Sequence, residues 1–396
     1  MKKIFLIIAL VLFPLNIFAI NLNSSKYIIY DNTDGKVLLE KGSNTNTSIA
    51  SLTKIMSAII IIEKEEDLNK KITITKKMLN SVPNNAFTIN LKKGEVYTYQ
   101  DLLYATILPS AADAIISLAI NSSGSISNFV KEMNNKAQDL GMKNTYFTNP
   151  IGMDNVNNKN TISDVLTLLK YALKNDIFRT IYQTKEYTMS NGKKIYTSLK
   201  MYNEDLKLNL DTSRIIGSKT GYTKKTGFAL SQVFNSNFHE IISITTGAVH
   251  NNNSYHLRDG IEIIKYIDNN YNNQTLMKKN ELIKTLEVRD STINEYKIYS
   301  DKELIKYLPN NYNKEDFKIE YNIPEYIDYK TNKDIGNIKY FYGNELLYTE
   351  NVIIKEDINP NFISILKDNI IYIICIITFL LIIIYLIFKK RSLKYK

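Results

Sequence analysis

Three short patterns place hydroxyls and amines where they could transfer an acyl group. In the first, Ser51-Leu52-Thr53-Lys54 sets a serine and a lysine three apart in apolar surroundings. Residues three apart on a helix share a face at roughly 5 to 6 Å, so Lys54 could take the proton of Ser51. A serine hydroxyl needs such a base, and a lysine serves only when desolvation or another cation lowers its pKa. The triplet also reads as a plain helix start, with Ser51 capping, Lys54 in solvent and Ile55, Met56, Ile59 and Ile60 facing a core. Ser-x-x-Lys recurs at Ser190 to Lys193 and at Ser364 to Lys367, so alone it does not decide.

The second pattern is Pro109-Ser110-Ala111-Ala112-Asp113, whose serine lies 59 residues beyond Ser51. Ser110 with Asp113 three residues on is also a capping-box-like helix start. The third is Gly217-Ser218-Lys219-Thr220-Gly221-Tyr222-Thr223. Lys225-Thr226-Gly227 repeats its Lys-Thr-Gly. The first copy follows a strand-like run and the second sits where a hairpin would turn, so Lys219 is the candidate. A lysine there would supply the second cation near Lys54.

Other chemistries have little to work with. Three histidines, His239, His250 and His256, form no His-Glu-x-x-His pattern, and no metal or other cofactor is expected. The only cysteine, Cys375, lies in a run of 19 apolar and uncharged residues, 370–388, close to the roughly 20 that span a bilayer. KKRSLKYK follows it, five basic residues in eight, which marks the cytoplasmic side. Residues 1–19, two lysines and then an apolar run, read as a secretory signal peptide. Of the formal charge of +10, two units lie at Lys2 and Lys3 and five in the tail, so residues 20–388 keep three. The excess is a topology signal and does not imply nucleic acid.

These patterns need elements to hold them. Helix-length apolar patterns occur at Asp101 to Ile120 and Ile162 to Leu173, with strand-like runs at Tyr27 to Tyr30 and Ile241 to Thr246. Beyond residue 270, LIKTLEV, YKIYS, FKIEY and IKYFY alternate between Asn, Pro, Asp and Gly turns. The expected organisation is a signal peptide (1–19), a catalytic domain (20–270), a small β-rich domain (271–356), a linker (357–369), a membrane helix (370–388) and a basic cytoplasmic tail (389–396). The catalytic domain would face outside the cell membrane.

The order and spacing of the three patterns resemble the serine penicillin-binding proteins and β-lactamases. Within that group the chain looks like a D-alanyl-D-alanine carboxypeptidase. Gly141 to Thr145, Phe147 to Asp154 and Thr161 to Asp164 are similar to further segments of that family. The resemblance implies an α+β, transpeptidase-like catalytic domain, an antiparallel sheet flanked by helices. It also implies the small all-β domain and the C-terminal membrane attachment. The substrates it implies are peptidoglycan stem peptides ending in D-Ala-D-Ala, with β-lactam antibiotics as ligands. Residue by residue it makes Ser51 the nucleophile, Lys54 its base and Ser110 the proton relay. Lys219, Thr220, Gly221 and Tyr222 become the strand that receives substrate, the Tyr222 N–H joining that of Ser51 in an oxyanion hole. Arg258 would meet the terminal carboxylate, its planar fork suiting that group; an ordinary helix-face arginine pairing with Asp259 or Glu262 is the alternative. The chain departs from the family at Ala112, where an asparagine amide is expected to bond both the lysine and the substrate carbonyl. A wall-binding relative with weakened turnover is therefore one alternative. A β-lactamase is another, although no glutamate lies between Glu132 and Glu186, where its deacylating residue would sit.

Overall fold

A computed structural model describes residues 20–249 and 253–392. The proposed signal peptide, His250 and the end of the basic tail lie outside the described residues. The chain divides after Asn270 into two compact units.

The first unit is built on a five-stranded antiparallel sheet. Its strands run in the order Lys36–Lys41, Lys26–Asp31, His239–Ala248, Gly227–Ser236, Gly217–Thr223, leaving the last on an edge. Seven consecutive residues of Gly227–Ser236, Phe228 to Phe234, are buried, which requires cover on both faces. Helices Tyr255–Asn270 and Ile162–Ala172 pack against the sheet. Asp259 does not pair with Arg258; its carboxylate accepts from Asn23 N, Ser24 N and Ser24 Oγ at 2.6 to 2.8 Å and pins the chain entering the first strand.

Helix Lys54–Lys64 is apolar nearly all round, with residues 54–62 buried, as expected of a central rather than a surface helix. Helices Tyr99–Ile107, Ala112–Ser123, Ile126–Asp139 and Ile162–Ala172 surround it. The apolar stretch from Asp101 to Ile120 is therefore not one helix. It breaks at Leu108 to Ala111, where Pro109 disfavours helical geometry before it and Ser110 takes φ +71°. Capping at Ser110 is also corrected: the N-cap is Ala111, with no side-chain bond, and the Asp113 carboxylate accepts from Ile89 N (3.2 Å) and Leu91 N (3.0 Å).

The second unit holds the alternating segments as strands. One three-stranded sheet contains Leu282–Arg289, Glu295–Tyr299 and Tyr326–Asp328; another contains Phe317–Asn322, Asp334–Tyr342 and Glu345–Ile353. Leu286, Ile298, Ile327, Ile338, Tyr340 and Val352 form much of its core. The segment expected to be a linker contains a short helix, Phe362–Asp368, tied back through Ser364 Oγ to Asp290 and through Asp368 to Lys330. Helix Ile370–Ser392 follows, with mean hydropathy 3.2 over its candidate span Ile370–Lys390.

Candidate active site

Ser51 lies in a single 3-10 turn, Ala50–Thr53, that leads into helix Lys54–Lys64. The turn packs on the edge strand Gly217–Thr223. The approach is so close that a Cβ on Gly221 would lie 3.0 Å from Ser51 N. A side chain there would have to push the serine amide and Ala50 back by a few tenths of an ångström. On the other side Gly152, at φ +82°, sits where a Cβ would be 1.8 Å from the Ala50 carbonyl oxygen. Ala50 itself has φ +47°, an uncommon backbone state of the kind that concentrates at functional sites.

Lys54 does not point to solvent; it is 3% exposed. Its Nζ donates to Ser51 Oγ at 3.0 Å and to the Ile151 carbonyl at 3.1 Å. Burial pushes its pKa down to about 7, against the upward pull of the Asp113 carboxylate. Half the lysines are then neutral near neutrality, the condition for accepting the serine proton. Lys219, fully buried on the edge strand, donates from Nζ to the Thr220 carbonyl at 2.9 Å. Burial, and then the charge of Lys54, hold its pKa well below the usual lysine range.

A cleft of about 320 Å³ opens over these groups. It is lined by Ser51, Lys54, Ser110, Ala112, Thr220, Gly221 and Tyr222, so seven of the nine residues or positions singled out for chemistry meet in one place, with Lys219 standing behind them in the strand and Arg258 apart. Ser110 Oγ is buried and has no hydrogen-bond partner among the described residues. The second Lys-Thr-Gly occupies the hairpin turn: Thr226 N donates to Thr223 Oγ1 at 3.1 Å, Gly227 has φ +68°, and Lys225 is exposed. Arg258 is not brought to the cleft; it is exposed and its Nε donates to the Asn253 carbonyl at 3.0 Å.

Several cleft residues escaped the sequence reading. Ser198, in helix Ser198–Asp205, bonds Thr220 Oγ1 through its Oγ at 2.5 Å. Asn149 gathers the N–H groups of Ile151, Gly152 and Met153 on one side-chain oxygen, at 3.3, 2.8 and 3.0 Å. That shapes the turn whose carbonyl receives Lys54. Asn85 to Phe87, joined to the start of helix Ala112–Ser123 by Ala112 N to Phe87 O at 2.8 Å, form another wall. Among the described residues no histidine lines the cleft. His256 is buried behind it, stacked on Phe228 at 4.2 Å and edge-on to Tyr202, with burial pushing its pKa down to about 3. His239 instead pairs with Asp31 at 2.9 Å, near Asp34.

A family model described as D-alanyl-D-alanine carboxypeptidase matches residues 16–250, and one described as penicillin-binding protein 5, C-terminal domain, matches residues 271–360. D-alanyl-D-alanine carboxypeptidase DacF of Bacillus subtilis (strain 168) is 27% identical over 358 residues, 86% of this chain and 87% of that protein. The D-alanyl-D-alanine carboxypeptidase of Streptomyces sp. (strain K15) is 35% identical over 166 residues, 40% of this chain and 57% of that protein. Among solved structures, penicillin binding protein 5 from Haemophilus influenzae shares the fold at 21% identity and TM-score 0.60, over 86% of this chain and 98% of that one.

Proposed function

The chain belongs to the D-alanyl-D-alanine carboxypeptidase family of serine peptidases, and from that membership and the cleft we propose that Ser51 removes the terminal D-alanine of peptidoglycan stem peptides. The observation that carries the reading is the buried Lys54 amine 3.0 Å from Ser51 Oγ inside the cleft. Neutral Lys54 takes the serine proton as Oγ attacks the carbonyl of the penultimate D-alanine. The oxyanion forms against the N–H groups of Ser51 and Tyr222, donors that stabilise the charge as it develops. The proton returns through Lys54 and Ser110 to the leaving D-alanine nitrogen as the peptide bond breaks. Water then attacks the Ser51 ester and restores the hydroxyl. Thr220, at the cleft's strand wall, is the candidate to meet the substrate's C-terminal carboxylate, because the Thr223 hydroxyl donates to Asp154, while Arg258 would have to move to reach it.

A β-lactam presents the same carbonyl and would acylate the same serine. Incubation with a labelled penicillin and with a D-Ala-D-Ala peptide tests the reading. Ser51→Ala should abolish the covalent label, while Ser190→Ala and Ser364→Ala keep it; an adduct on another serine would overturn the assignment. Labelling without D-alanine release would favour a wall-binding relative, and rapid penicillin hydrolysis a β-lactamase. We further propose that helix Ile370–Ser392 crosses the cell membrane with the catalytic unit outside. Chain ended before Ile370 should then leave the membrane fraction and still label; pelleting after a high-salt wash would refute a single anchor.

A further inference from the structure

One wall of the cleft comes from a single helix face. Helix Ser198–Asp205 contributes Ser198, Met201, Tyr202 and Asp205, spaced i, i+3, i+4, i+7. Its first residue touches the reaction centre, Ser198 Oγ lying 2.5 Å from Thr220 Oγ1 on the strand beside Ser51. Its last, Asp205, is exposed and is the only acidic side chain lining the cleft among the described residues. Seven residues at 1.5 Å each put it about 10 Å along the helix from that centre.

Asp205 is uncommitted. The helix's one lysine, Lys200, is engaged with Glu186 at 3.5 Å and Glu204 at 3.9 Å. No hydrogen bond or ion pair involves the Asp205 carboxylate among the described residues. The neighbouring Asp154, by contrast, is occupied by Ser48, Thr223 and the Lys225 N–H. The cations nearest the chemistry, Lys54 and Lys219, are buried and turned to their own partners. The carboxylate at the cleft's outer end is thus matched by no protein cation.

We propose that Asp205 is a specificity-determining residue that receives a side-chain amine on the substrate residue immediately before D-Ala-D-Ala. The inference rests on the carboxypeptidase reading of the cleft. With the scissile carbonyl at Ser51, the α-carbon of that residue lies about one and a half strand steps away, roughly 5 Å. A four-carbon ammonium side chain spans the rest of the distance to Asp205. Met201 and Tyr202, between Ser198 and Asp205 on the same face, offer apolar surface for the stem of such a side chain, leaving its charged head at the wet rim.

The test compares peptides X-D-Ala-D-Ala in which X is lysine with both amines acetylated, with only the side-chain amine free, or with only the α-amine free. Each is scored by the concentration that halves the rate of penicillin labelling and, where turnover is seen, by kcat/KM. Labelling stoichiometry normalises every variant to its folded fraction and reports separately whether Ser51 is acylated at all, so a failure of the underlying reading shows as no label. The peptide with a free side-chain amine should compete roughly three- to tenfold better than the fully acetylated one at low salt, an advantage that shrinks as salt rises. In Asp205→Asn the ratio should fall towards one, and Asp205→Glu should restore part of it. No preference in the parent, a preference that survives in Asp205→Asn, or one that follows the α-amine would each overturn the proposal.

Discussion

The pH dependence of acylation follows from where Lys54 sits. Burial lowers its pKa from 10.5 to about 7. With the base active only when neutral, the usable fraction is about one half at pH 7, one tenth at pH 6 and one hundredth at pH 5. An exposed lysine would be neutral in only about one molecule in three thousand at pH 7, so burial accounts for roughly a thousandfold in available base. Stopped-time labelling with a fluorescent penicillin from pH 5 to 10 should give a rate constant that climbs tenfold per pH unit below 7 and levels above it. Asp113→Asn should slide that limb to lower pH, because the carboxylate is the charge that holds Lys54 up. The same depression is a folding cost: the unfolded chain keeps the lysine protonated up to 10.5, so this group's contribution improves as pH rises from 7 to 10.5 and its penalty is complete below 7. Lys54→Met should therefore lose labelling by at least two orders of magnitude while raising the catalytic unit's unfolding temperature near pH 6. A rate still climbing through pH 9 to 10, or flat from 5 to 8, would refute a buried neutral lysine as the base.

Gly152→Ala should lower the unfolding temperature by roughly 5 to 10 °C, because a Cβ 1.8 Å from the Ala50 carbonyl oxygen forces the backbone apart; an unchanged melting curve with unchanged labelling would show that the loop does not brace the serine turn. Ala112→Asn should raise kcat/KM for D-Ala-D-Ala peptides, by up to about 10² if one preorganised donor is restored; a clear fall would mean that the pocket is adapted to alanine.

What could be read from the chain divides by range. Ser51, Lys54 and Lys219 were legible because ordered short patterns specify them, and the buried Lys54 rules out the solvent-facing alternative for that position. The strands of the second unit were legible from alternation, as in Leu282–Arg289, where Leu286 and Val288 turn into the core. The break at Pro109 and Ser110 was hidden because apolar composition continues across it, and only the backbone shows the turn. Ser198 and Asn149 carry no chemical signature; they matter because tertiary packing sets one against Thr220 and the other under Ile151. Arg258 was placed by its position opening a helix, and helical position fixes a face without fixing the distance to a cleft.

Ala112 is where local rule and site disagree, and the surrounding bonds locate the consequence. A buried lysine needs acceptors for its donor protons. The amide absent at position 112 is not missed by Lys54, because the Ile151 carbonyl already accepts from it at 3.1 Å. The Gly152 N–H of the same peptide unit donates to the Asn149 side-chain oxygen, which fixes that carbonyl's direction, and the turn is braced through Gly152 against Ala50, the residue before Ser51. Serine, lysine and loop thus lock one another without a side chain at 112. Ser110 Oγ, by contrast, is left buried without a partner. On the proposed mechanism the deficit therefore falls on the side of the cleft that would steady the substrate's own carbonyl and hand a proton to its leaving nitrogen. A lactam's ring nitrogen also takes a proton as its C–N bond breaks, but ring strain assists that cleavage, so a lactam depends less on that side than an unstrained peptide does. Penicillin acylation should accordingly be closer to a fully equipped relative's rate than peptide cleavage is.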